Sequence, residues 1–251
     1  MRRSVVAALA VMLAAAAVLA PGCGTASISN PSTIVRRAIE AQGRLKSVGM
    51  KMDGSVKVTG SPDAGGVMSS FYRAEGSFEQ PDRSRVLVRS STGETEVITI
   101  GDRAYVKKSP GTGTWVRKKV SGAPASGASP ADVTNYLKYT TGLELVDRRE
   151  GTYRLRFNLD MGRYAKVSHL PGVDPSAFKG MQARMEVWVV EGSFYVKRAK
   201  MEFDGDLSRI GVGSLDMSVD IEFSDFNRPV GIEAPVSGTS LRISPLRESA
   251  T

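Results

Sequence analysis

Two of the residue types that carry most protein chemistry occur once each in this chain of 251 residues, as Cys23 and His169. A lone thiol can be oxidised, bridged or acylated, and its setting decides which. Cys23 follows Met1-Arg2-Arg3 and an Ala/Val/Leu run from Val5 to Ala20, closed by Pro21-Gly22. A positive start, an apolar stretch and small residues before a cut have the form of a secretory signal that is removed on export. The run is short and alanine-rich for a permanent membrane helix. A cysteine at the first mature position accepts a diacylglycerol, and the spacing therefore predicts a bacterial lipoprotein that begins at Cys23. The residues before it, Leu19-Ala20-Pro21-Gly22, set leucine one place early and put proline at the second position. The alternative is an ordinary secreted protein with one leftover thiol, in a compartment where unpaired thiols are a liability.

The remaining inventory offers little for catalysis. His169 lies in Ser168-His169-Leu170-Pro171, with no nucleophile-elbow spacing at a strand-to-helix turn, and reads as a helix-end or loop side chain. Asp204-Gly205-Asp206 lacks the downstream ligands of a calcium loop and reads as a β-turn. No helix pattern follows Gly211-Val212-Gly213, so it is not a phosphate loop. The residues call for no catalytic group, no metal and no cofactor. A pair of carboxylates brought together only in space stays open, and with it an envelope hydrolase.

The formal charge of +8 falls to +6 once Arg2 and Arg3 leave with the signal. No basic motif interleaved with aromatics occurs, so nucleic acid is not the expected partner. Anionic headgroups and wall polymers are what an exported, anchored chain meets first. The densest basic run, Arg117-Lys118-Lys119, reads as a wet face that can meet acidic headgroups.

Stepping along the chain, residues 1–22 read as the signal, 23–29 as a lipidated tether, 30–236 as one domain and 237–251 as a flexible tail. Asn30 can cap a helix, Pro31 suits its first position, and Ile34, Val35, Ala38, Ile39, Gln42 and Leu45 make one stripe. From Met50 the period changes to two. Strands are predicted over 50–59, 67–78, 84–90, 94–100, 103–108, 115–120, 143–149, 152–161, 183–190, 194–203 and 215–223, joined by short turns such as Gly101-Asp102 and Glu150-Gly151. Residues 121–129 form a Ser/Ala/Gly/Pro loop before a second helix over Pro130–Leu137, capped by Ser129, and a short third helix is predicted around Tyr164–His169. The class is mainly β: one large antiparallel sheet of about ten strands, most with one apolar face, and two or three short helices. That face needs cover, and the helices are too few to fill it completely.

The residues expected on the apolar side are Met50, Met52, Val56, Val58, Leu155, Phe157, Leu159, Met185, Val187, Val189, Met201, Met217, Val219 and Ile221. Methionine is flexible and polarizable, which suits a wall that must accept varied shapes. These residues make candidate lining of a ligand cavity, and the plain alternative is an ordinary core. Trp188 shares its strand face with Arg184 and Glu186, away from the lining.

The chain resembles the mycobacterial LppX/LprG-type lipoproteins, whose fold is similar to the LolA carrier of Gram-negative periplasms. The resemblance rests on Cys23, the first helix, the segment Glu96 to Lys107 running on to Trp115, and most specifically Ile221-Glu222-Phe223-Ser224-Asp225-Phe226-Asn227-Arg228-Pro229-Val230 before Ile232 and Ala234-Pro235. It implies a half-barrel with helices on the concave side, around a hydrophobic cavity that binds lipids or acylated molecules. The expected role is a carrier or chaperone on the extracytoplasmic face of the membrane, held there by a diacylglyceryl anchor. A transporter or envelope protein that drives transfer is not identified by any residue. A sensor or protein-interaction module on the same fold is the first alternative, and the envelope hydrolase the second.

Overall fold

The first helix begins where its cap requires. Asn30 is extended at φ −80° and ψ 112°, and its side-chain oxygen accepts from the amides of Ser32 at 2.9 Å and Thr33 at 3.3 Å. Pro31 takes the first turn, where no amide donor is needed. Helix α1 (Pro31–Gly43) buries Ile34, Val35, Ala38, Ala41 and Gln42. Helix α2 (Pro130–Lys138) packs against it and buries Val133, Tyr136 and Leu137. The computed structural model describes residues 29–60, 67–109, 113–119, 130–163, 181–206 and 213–235. Cys23, the 121–129 loop, the predicted Tyr164–His169 helix and the 237–251 tail lie outside the described residues.

Among the described residues, eleven antiparallel strands form one open sheet. They are β1 (Ser47–Thr59), β2 (Val67–Glu79), β3 (Arg83–Ser90), β4 (Gly93–Ile100), β5 (Arg103–Lys108) and β6 (Val116–Lys119), then β7 (Thr140–Arg149), β8 (Thr152–Leu159), β9 (Gln182–Val190), β10 (Val196–Asp206) and β11 (Ser214–Ser224). The order β6-β5-β4-β3-β2-β1-β11-β10-β9-β8-β7 makes two meanders. They are joined by one non-local pairing, β1 with β11, in register from Gly49↔Ser224 to Thr59↔Ser214. Glu150 and Gly151 have positive φ, 49° and 68°, which matches the tight turn that joins β7 to β8.

Three local expectations are corrected. Asp204-Gly205-Asp206 is not a turn but the end of β10. A Cβ on Gly205 would stand 2.7 Å from the Met181 side chain, so the glycine serves close packing on a strand. β8 stops at Leu159, with Met161 buried just beyond it. β10 starts at Val196, because Phe194, at φ 59°, belongs to the turn before it.

The segment after β11 ties the chain ends together. Asn227 accepts from the Lys46 amide through Oδ1 at 2.8 Å, donates its own amide to the Ser47 carbonyl at 2.8 Å, and donates through Nδ2 to the Tyr195 hydroxyl at 2.8 Å. Its φ of 60° is tolerated by asparagine better than by most residues. Asn227 thus ties the α1–β1 connection to the segment after β11 through one side-chain and one backbone hydrogen bond.

Candidate ligand-binding face

Cross-strand register places the two faces of the sheet. Direct partners point to the same side, so Leu155, Val187, Ala199, Ile221, Met52, Ala74 and Val88 form one row across seven strands. A second row runs Phe157, Met185, Met201, Val219, Gly54, Tyr72. All fourteen candidate residues stand on this side. Both helices cover it, since their buried residues join the same cluster as Leu155, Met185 and Ile221.

Burial along those rows is uneven. Leu155, Met185, Val187 and Val189 are 0% exposed, and Met50, Phe157, Leu159, Met201, Val219 and Ile221 are also buried. These ten are packed in the main core. Met52, Val56, Val58 and Met217 are only half-buried, as are Val86 and Val88 on β3. The sealed region spans the second meander and reaches Val48, Met50 and Ala74 on β1 and β2; the half-buried stretch is Met52 to Val58 on β1, Val86 and Val88 on β3, and Met217 on β11.

The floor of that open region is shallow. Gly76 and Ser70 flank buried Ala74 and half-buried Tyr72 on this side of β2, and Gly54 sits on β1. A Cβ on Gly54 would stand 2.2 Å from Cζ of Tyr72, so the tyrosine ring lies down on the glycine backbone. That posture keeps a bulky ring close to the sheet. Half-burial raises the Tyr72 hydroxyl pKa above its ordinary value.

The other face is a ladder of charges. Trp188 lies between the guanidiniums of Arg154, 5.4 Å from its ring centroid, and Arg198, at 5.0 Å. Arg154 and Arg156 both donate to Glu186, at 2.7 Å and 2.9 Å, and Arg198 pairs with Asp220 through two hydrogen bonds. A hollow of about 460 Å³ on this face is lined only by charged side chains, including Arg184, Glu186, Lys200 and Glu202. The shifted ionisable groups on this face, Arg73, Arg156, Glu186, Arg198 and Lys200, each sit in an ion pair that accounts for the shift, as do Arg148 and Glu191, which pair beside Tyr153 at the β7 edge. Among the described residues no group of three or more His, Cys, Asp or Glu is placed to hold a metal ion. His169 lies outside the described residues.

Glu186 gives this face a pH dependence. Its side chain keeps 15% exposure, and burial alone would raise its pKa; hydrogen bonds from Arg154 and Arg156 outweigh that and lower it. A carboxylate with a depressed folded pKa stabilises above its unfolded value, about 4.3, and loses that contribution as pH falls through the folded value. Glu186→Gln is expected to cost about 1 kcal/mol at pH 7, kept small by the exposure of both arginines. The cost should shrink toward pH 3, so thermal melts of variant and parent converge. A gap that stays constant with pH would show that the carboxylate charge is not its source.

The fold is thus one open antiparallel sheet, with helices packed on its apolar face and charges on the other. No protein-family model matches the chain, and no curated protein sequence matches it. Among solved structures, LprF from Mycobacterium bovis is similar at 14% identity, covering 82% of this chain and 97% of that one, with a TM-score of 0.49. The LolA superfamily protein NE2245 from Nitrosomonas europaea is 12% identical over 81% of this chain and 96% of its own, with a TM-score of 0.31. A DUF1329 family protein from Desulfovibrio piger is 13% identical over 82% and 96%, with a TM-score of 0.28.

Sequence reasoning did not find Val86, Val88, Ala74 or Tyr72 as neighbours of the candidate residues. Their alternation on β2 and β3 was visible, but which strands flank β1 was not.

Proposed function

We propose that the protein is a lipid-anchored carrier or chaperone of the extracytoplasmic membrane face, which takes an acyl-bearing lipid or lipoprotein against the helix side of its sheet. One observation supports this above the others. The apolar row that is sealed at Leu155, Val187 and Ile221 continues, in register, into half-buried Met52, past buried Ala74, to half-buried Val88. Protein interiors are otherwise filled to crystal-like density, so apolar wall left partly uncovered marks a place for something else.

The mechanism is partition, with no bond made or broken. Each square ångström of hydrocarbon surface removed from water is worth about 25 cal/mol, in the bilayer or in the protein, so a site of comparable quality can accept acyl chains without chemical work. Small floor residues give room, and the methionines Met52 and Met217 adapt to chain shape. Cys23 holds the domain, residues 30–236, at the membrane through its diacylglyceryl group and the 23–29 tether. Two or more acyl chains make that anchor stable.

The test is native mass spectrometry of the full-length protein purified from its own membrane in mild detergent. An acyl lipid bound at about one per protein is the expected result. A protein that carries none, and takes up none when lipid is added, favours the sensor or protein-interaction module on the same fold.

A further inference from the structure

The charged face of the sheet changes character at β5. On β2 and β3 every arginine has a carboxylate within 4 Å, as Arg73 has Asp53, Arg85 has Glu96 and Arg89 has Glu94. The next hairpin breaks that pattern. β5 and β6 carry Arg103, Lys107, Lys108, Arg117, Lys118 and Lys119, and no Asp or Glu occurs in the chain between Asp102 and Asp132. Asp102 reaches only Arg103, at 3.9 Å, with both side chains largely exposed. Glu96 stands directly across from Lys107 but is held by Arg85 at 2.8 Å.

Register sharpens the imbalance. Arg103 is the direct partner of Lys119 and Tyr105 that of Arg117, so these four share the charged face, with two cations opposed where like charges repel. Lys107 lies on the same side, two residues beyond Tyr105, and its Nζ is 5.8 Å from the centre of the half-buried Trp115 ring. Lysines on an edge strand also keep sheets from joining edge to edge. Alternating them with carboxylates would do that equally well and without the repulsion.

We infer that this hairpin is a membrane contact, in which Arg103, Lys107, Arg117 and Lys119 sit on the phosphates of an anionic lipid surface. Phosphates between the opposed cations remove their repulsion, and guanidiniums hold phosphate through paired N–H bonds. Each basic residue close to an anionic leaflet adds attraction that fades within a Debye length. Trp115 and Tyr105 bring rings that favour headgroup depth. The contact lies on the face opposite the proposed acyl site and rests on the reading above only for the anchor. A 23–29 tether, about 25 Å at full extension, keeps the hairpin beside the membrane.

The experiment acetylates the lysines of the full-length protein, purified from its membrane, on vesicles of phosphatidylcholine alone or mixed equally with phosphatidylglycerol. Mass spectrometry reads each site. Lys107 and Lys119 are expected to react about fivefold more slowly on the anionic vesicles, while exposed Lys51 and Lys197, on strands distant from the hairpin, stay within about twofold. High salt should restore the rate, and Arg103→Gln with Arg117→Gln should remove most of the protection at an unchanged melting midpoint. Equal labelling on both vesicles overturns the inference, and so does equal protection of Lys51 and Lys197. Protection by soluble polyglutamate but not by anionic vesicles overturns it too, in favour of an acidic protein. Protein that fails to float with phosphatidylcholine vesicles, yet is protected on anionic ones, fails the anchor and leaves the contact standing.

Discussion

Protein carrying Val56→Trp is expected to leave its membrane folded but with at least tenfold less bound lipid than the parent. Val56 pairs across the sheet with Met217 on β11 and Ser70 on β2, and both Val56 and Met217 are only half-buried. An indole there extends into the open part of the inner face rather than into packed core. The change should cost stability little, since substitutions away from a sealed interior usually stay within about 0.5 kcal/mol. Its effect on ligand follows from displacement. Losing two buried methylenes, at about 0.8 kcal/mol each, exceeds the 1.4 kcal/mol that corresponds to tenfold in affinity. Lipid occupancy by native mass spectrometry is the measurement, with a urea melt as the control for folding. A variant that carries the parent's full lipid load would place the ligand somewhere other than against β1 and β11.

Phe157→Ala should do the opposite, crippling stability through the sealed half of the sheet. Phe157 is 1% exposed, pairs with Met185, and continues the row into Met201 and Val219. Removing a buried phenyl ring costs about 3–5 kcal/mol, from lost transfer energy and from the cavity left behind. Against a total stability of about 5–15 kcal/mol, that is a large share. The chain has a single cysteine and thus no internal disulfide to limit the loss. Urea unfolding followed by circular dichroism measures it, as a drop in midpoint with an unchanged slope. A cost below about 1 kcal/mol would mean that the second meander is itself loosely filled, and the ligand-binding face would then extend across it.

The contrast between these two sites could not be drawn from the sequence, where Val56 and Phe157 look alike. Each is an apolar residue on an alternating strand. What separates them is the cover above, and cover depends on where α1 and α2 lie. Both helices were legible. Asn30-Pro31 has the chemistry of a helix start, and the stripe through Ile34, Val35, Ala38 and Gln42 named its inner side. Their placement over the sheet was not, because the amphipathic stripe says only that a helix needs an apolar partner.

Other features divide in the same way. Glu150-Gly151 was readable as a turn because the residues themselves favour positive φ. Asp204-Gly205-Asp206 has similar composition but runs in β10, since Met181, not local chemistry, demands the glycine. The run from Ile221 to Val230 stood out in the sequence, and Asn227 supplies a reason in its three hydrogen bonds to Lys46, Ser47 and Tyr195. No local signal announces those bonds, which span as many as 181 positions of sequence. The stacking of Trp188 between Arg154 and Arg198 likewise needs three strands in register.

Side-chain period and capping act over a few residues, so the strands, their wet and dry faces and the helix start were legible along the chain. The pairing of β1 with β11, which joins two meanders into one sheet, arises only from long-range contacts in the folded chain. That pairing brings together segments more than a hundred residues apart, and its register is set by the combined burial of both faces rather than by either strand alone. It also decides which apolar residues end up under the helices and which stay half open.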